Sequence, residues 1–195
     1  MPYTANRENA HVYGDLGTGV WIAPKGSTLP TTLTEDPAAP FESAGWLSDD
    51  GIKRNVDKDI QEYNALQGGS LIRKKVSKVT QTFTFTCLEE TALVLGLVNS
   101  GQKITVTGTG PAAVARQEIG DGQNVTVERA LVIDAVDGSV RERTVLSAAD
   151  ITFQGEINVA HNEDLRMYEF EASLLAGASA YVLTNAPGVT AAPTP

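Results

Sequence analysis

Two histidines and one cysteine are the only imidazole and thiol groups in the 195 residues, so chemistry beyond carboxylates has to start from His11, His161 or Cys87. Neither histidine has the i to i+4 or Cys/His spacing that a zinc site requires. The acidic turn His161-Asn162-Glu163-Asp164 offers oxygen ligands to a hard cation. No EF-hand spacing surrounds it, and these residue types read as turn formers. Cys87 stands near a predicted helix N-terminus, where a thiolate is stabilised. It alternates onto the same side as Phe85, however, and reads as a small buried hydrophobe. Glu89 and Glu90 are accounted for by the start of that helix, and Asp49 and Asp50 by a turn. The glycines of GDLGTG, Gly14, Gly17 and Gly19, resemble a phosphate cradle only superficially. They precede a short strand at Val20, Trp21 and Ile22 instead of opening a helix, and no lysine accompanies them. No catalytic constellation emerges, so the reading is of a non-enzyme without cofactor or metal.

Composition narrows the class further. The chain carries 24 acidic and 15 basic residues, a formal charge of −9, which argues against a protein that grips nucleic acid through clustered cations. The one basic cluster, Arg73, Lys74, Lys75 and Lys78, reads as a strand edge kept charged against unwanted pairing. A lone cysteine excludes an internal disulfide. The start of the chain shows no secretory signal, and the longest apolar run, residues 92–98, is far short of the ~20 residues that span a bilayer. A soluble protein in the cytoplasm of the cell that makes it is expected.

The elements that must position any site are organised around residues 71–99. From Ser77 the sequence alternates, with Val79, Phe83, Phe85 and Cys87 on a dry side and Lys78, Thr80, Thr82, Thr84 and Thr86 on a wet one. Thr86 followed by Glu89 predicts a capping box and a helix starting near Cys87 or Leu88. Its core stripe would be Leu88, Ala92, Leu95 and Val98. Upstream, residues 24–40 hold four prolines and no hydrophobic period, which predicts a long surface loop. Strand-like pieces at 41–47 and 60–66 flank a turn at Asp49, Asp50 and Gly51, giving a hairpin arm at about 48–71. Downstream, alternation predicts strands at 103–108, 124–134, 140–146, 150–160 and 166–175, with Gly155 as a bulge site and His161 to Asp164 as a turn. The pattern implies a mostly antiparallel β-sandwich or barrel with one flanking helix. One domain spanning 1–183 is expected, with a flexible tail at 184–195 rich in alanine and proline.

The arm mixes Ile52, Val56, Ile60, Leu66 and Leu71 with charges such as Lys53, Arg54, Asp57, Lys58 and Asp59. That is too polar for a private core and too apolar for an inert linker, so it suits a surface docked on a neighbouring subunit. Three motifs in order, GWLSDDG, DIQEYNALQGG and FTFTCLEETALVLGL, make the chain similar to the major tail tube proteins of long, non-contractile-tailed bacteriophages. That family has a GxxxxDG turn, an extended arm, and a strand running into a short helix through a T-x-LE-T junction, matched here by residues 84–91. At Tyr63 and Asn64 the sequence departs from the family pattern, which places an aromatic slightly later.

The resemblance covers roughly residues 41–98. It implies a virion protein that forms hexameric rings stacked head to tail into the tail tube, the conduit for DNA delivery. Its partners would be further copies of itself, the tape measure protein, and the tail terminator and tail tip proteins. DNA would transit without tight binding, no membrane would be involved, and assembly would occur in the host cytoplasm. On this reading Ile52, Val56, Ile60, Tyr63, Leu66 and Leu71 make subunit contacts, and Thr80, Thr82, Thr84, Gln154 and Glu156 face the lumen. The rival reading is a carbohydrate- or cell-binding β-sandwich module, which would show aromatics exposed in loops.

Overall fold

The computed structural model of the chain describes residues 6–102, 104–119, 127–157 and 165–190. Within them lie strands β1 (Gly19–Pro24), β2 (Glu42–Ser43), β3 (Lys53–Asn64) and β4 (Leu71–Cys87), then helix α1 (Ala92–Val98). Strands β5 (Ile104–Thr107), β6 (Val114–Gln117), β7 (Glu128–Asp137), β8 (Val140–Gln154), β9 (Tyr168–Leu174) and β10 (Ala180–Thr184) follow, and a four-residue helix α2 (Pro187–Thr190) closes the described chain. Eight strands form one antiparallel sheet in the order β2-β1-β7-β8-β9-β4-β3, with β10 also on β8, while β5 and β6 pair separately.

A bulge lets this sheet turn back on itself. Ser147 and Ala148 of β8 oppose the single residue Ala130 of β7, and there β8 exchanges β10 for β9 as its outer partner. The two halves thereby face each other over one core. Val20, Ile22, Leu131 and Leu146 come from one half, and Phe85, Cys87, Ile151 and Phe170 from the other. Residues 140–146 and 150–160, expected as two strands, form the continuous β8 as far as Gln154; residues 158–160 and the 161–164 turn lie outside the described residues. The expected β-sandwich with a flanking helix is the observed architecture.

The dry side of β4 is dry only near the body. Phe83, Phe85 and Cys87 are buried, whereas Val79, four residues before Phe83, is half exposed because none of the described residues forms a second layer over the outer part of the strand. The helix also differs from expectation. Thr86 still belongs to the ladder, where its carbonyl accepts the Ser48 N–H, so it cannot cap. The cap is Thr91, whose Oγ1 accepts the Val94 N–H at 3.2 Å. With the start moved to Ala92, Val94 and Leu97 are the buried residues; Leu95 and Val98 of the predicted stripe pack partly buried against the core, and Ala92 is exposed. Thr91→Ala is expected to lower stability by about 1 kcal/mol, and Thr86→Ala by less; urea denaturation giving the reverse ranking would return the cap to Thr86.

The proline-rich loop is a third layer. Its Leu29 and Phe41 pack with Ala23, Ala130, Val132, Val145 and Tyr181 on the outer face of the β1–β7–β8–β10 half. Three side chains of that face hold the loop's backbone: Tyr181 Oη donates to Pro30 O, Arg143 to Thr32 O and Arg141 to Leu33 O. Arg143 is fully buried and makes a two-point pair with Asp134, its register partner on β7, at 2.6 and 2.7 Å. At the other end of the chain, Asn185 caps β8 by accepting the Arg141 N–H, and α2 follows. Residues 191–195 lie outside the described residues.

Candidate assembly surfaces

The arm is a two-stranded antiparallel ribbon made by β3 and the first half of β4. Register fixes its faces, because residues directly paired across an antiparallel ladder share a side. Arg54 pairs with Phe83, Val56 with Gln81, Lys58 with Val79 and, beyond a bulge at Ser77, Ile60 with Val76. Val56, Ile60, Val76 and Val79 therefore continue the side that Phe83 presents to the core, and each is about half exposed. Every residue of β3 is exposed, and its outer edge carries no partner among the described strands. Such an edge is an open template for pairing; its mixed Lys53, Arg54, Asp57, Lys58 and Asp59 guard it against indiscriminate use.

The remaining contact candidates fall at different depths. Ile52 packs half-buried against the main core at the root of the arm. Tyr63 pairs with Arg73 on the opposite side from Ile60, Leu71 pairs with Asn64, and Leu66 stands almost fully exposed at the tip. The tip turn is closed by Ala65 N–H donating to Ser70 O at 2.8 Å. In the basic cluster Lys74 is paired with Glu62 across the ribbon.

The wet side of the sheet collects most of the lumen candidates. Thr82 lies beside Asn55 and Ser173, Thr84 beside Lys53 and Glu171, and Glu171 beside Thr152; Thr86, Glu169 and Gln154 form the next row. Thr80, Thr82, Thr84 and Gln154 thus share one polar face running across β3, β4, β9 and β8. Glu156 follows the end of β8 and is exposed.

The motifs quoted above meet in space where the arm leaves the body. Residues 46–48 run beside the end of β4: Ser48 N–H donates to Thr86 O, Leu88 N–H to Trp46 O, and Leu47 bridges Cys87. Glu89 Oε1 accepts the Trp46 N–H at 2.8 Å, the bond that replaces the predicted capping box. Gly45 has φ +81°, a backbone conformation that favours glycine, and a Cβ there would lie 2.6 Å from the Glu89 carboxyl carbon, so a larger residue would push Glu89 off the Trp46 N–H. The GxxxxDG turn and the L-E junction are two halves of one joint.

Cys87 is buried inside that joint, and burial, with Glu89 second, pushes its thiol up to about 12. It stays a thiol at neutral pH and is no nucleophile. In native protein at pH 8, iodoacetamide is expected to leave Cys87 unmodified, and to alkylate it completely in denaturant; rapid native labelling would place the thiol at the surface. Among the described residues, no group of three or more His, Cys, Asp or Glu side chains gathers as metal ligands. Of the glycines of GDLGTG, Gly17 lies in a turn and Gly19 opens β1, while the lead-in docks on β7 through Gly14 and Asp15, whose N–H groups both donate to Val136 O.

The described fold is thus an antiparallel β-sandwich with a projecting ribbon and an open strand edge. The chain belongs to the phage tail tube protein family, whose model matches residues 4–185. No curated protein matches it. It is therefore a structural tail tube protein, a component of the virion tail.

Proposed function

We propose that the chain polymerises as hexameric rings stacked head to tail, with the arm reaching from one ring to the next and the polar face of β4, β9 and β8 turned to the lumen. The observation that carries this reading is the arm itself. A ribbon whose apolar residues Val56, Ile60, Val76 and Val79 are all about half exposed is unfavourable in an isolated subunit and becomes a docking surface in a polymer. Joining open sheet edges between subunits removes the pairing hazard of β3 and builds a continuous barrel wall. Unlike surfaces meeting head to tail along an axis generate a filament.

The wall would suit passage of DNA. Glu169 and Glu171 outnumber Lys53, the cation beside Thr84, on a face otherwise rich in threonine, and a lumen of net negative sign repels phosphate instead of holding it. The tape measure protein, the terminator and the tip proteins would bind the tube's interior and two ends, with assembly in the host cytoplasm.

Electron microscopy of concentrated protein tests the reading. Rings of six copies and tubes built from them are expected, together with no mobility shift of duplex DNA at ordinary salt. A protein that stays monomeric at every concentration, or a salt-sensitive sub-micromolar DNA complex, would overturn it.

A further inference from the structure

At the root of the arm a cleft of about 910 Å3 opens between the lead-in, residues 45–52 and the sheet. Phe83 and Ile133 are apolar in its depth, and Leu16 and Trp46 stand at its rim, 87% and 67% exposed. Asp15, Asp49 and Glu142 also line it, with Arg54 as a cation. Apolar residues at the rim above an apolar floor offer a partner more surface than a singly exposed residue does.

The far end of the arm has the matching chemistry. Residues 53–79 hold seven Lys/Arg and three Asp/Glu, a net charge of +4, which leaves 21 acidic and eight basic residues, a net −13, for the rest of the chain. The positive charge concentrates behind the tip, at Arg73, Lys74 and Lys75, next to the exposed Leu66 and Ile72.

We propose that the arm tip of one copy seats in the cleft of a second copy. Leu66 and Ile72 cover Leu16 and Trp46, while Arg73 and Lys75 meet Asp49 and Glu142. The proposal rests on the tube reading above and adds the receiving surface and its chemistry. A copy cannot fill its own cleft: Ile52 and Arg54 line it from the root of the arm, and the 12 residues of β3 carry the tip about 40 Å away. The contact joins unlike surfaces, so each copy gives one tip and receives another. Opposite charges also steer the encounter and make it salt-sensitive.

A cross-linking experiment on the full chain tests this. Leu66→Cys and Leu16→Cys change exposed residues, and the native Cys87 is buried. After treatment with a flexible bis-maleimide under assembly conditions, the double variant is expected to give a covalent ladder of trimers and larger species, and each single variant nothing beyond dimers. Arg73→Glu with Lys75→Glu should abolish the ladder, and adding Asp49→Lys with Glu142→Lys should restore it. Circular dichroism of each variant confirms that it is folded. Tubes without a ladder would overturn this seat and leave the tube reading standing. A ladder without tubes would support the seat and overturn the tube. Neither appearing would overturn both.

Discussion

A chain lacking residues 57–67, with the cut ends joined by a short glycine-serine turn, is expected to fold normally and to form no tubes. The removed residues of β3 are all exposed, so no core contact is lost with them. The ladder bonds they make with β4 are in solvent, where water replaces them at little net cost. Residues 68–79 become a longer loop, and each doubling of loop length costs only about 0.6 kcal/mol in closure entropy. Arg54 and Phe83, the pair at the root, are kept. Circular dichroism and thermal melting report the fold, and sedimentation with electron microscopy reports the polymer. Tubes formed by the shortened chain would remove the arm from assembly. Loss of the cooperative melt would place these residues in the core.

Asp134→Ala is expected to cost about 3–5 kcal/mol, the effect of leaving a buried charge without its counter-charge. The group left without its partner is the Arg143 guanidinium. It is fully buried and, among the described residues, keeps only the Thr32 carbonyl as a partner. That cost is a large part of a typical domain's 5–15 kcal/mol. Arg143→Met in the same chain should recover much of it, because an apolar side chain of similar length needs no counter-charge there. Urea denaturation of both single variants and the double variant measures the coupling. An Asp134→Ala cost below about 1 kcal/mol would mean that water reaches Arg143.

The sequence made the two-faced strands legible wherever one face is wet, because alternation of Phe83, Thr84 and Phe85 can be satisfied in only one way. It was less clear where both faces are covered. Ala130 to Ile133 is a continuous apolar run, with Leu131 and Ile133 in the main core and Ala130 and Val132 under the proline-rich loop. Period two cannot show which layer covers which face. β10 is hidden in the sequence for a related reason: Tyr181 reaches the loop while Val182 is exposed, so its pattern depends on a layer distant in sequence. The helix starts later than the local pattern implies because Thr86-x-x-Glu89 fits a capping box, while Glu89 is claimed by Trp46, 43 residues away. Of the candidate site, the arm and the polar face could be read from composition and alternation. The cleft could not, since Leu16, Trp46 and Ile133 meet only through tertiary packing.

The way the proline-rich loop is fastened has a practical side. Tyr181, Arg143 and Arg141 all grip main-chain carbonyls, those of Pro30, Thr32 and Leu33. A carbonyl is common to all residues, so the fastening does not read which side chains the loop carries. Leu29, Pro37 and Phe41 are its inward anchors, whereas Thr34, Glu35 and Asp36 face solvent. A foreign peptide spliced between Glu35 and Asp36 would leave the three grips and the anchors in place. Each copy would then carry the guest on its surface, turning the protein into a repetitive display scaffold.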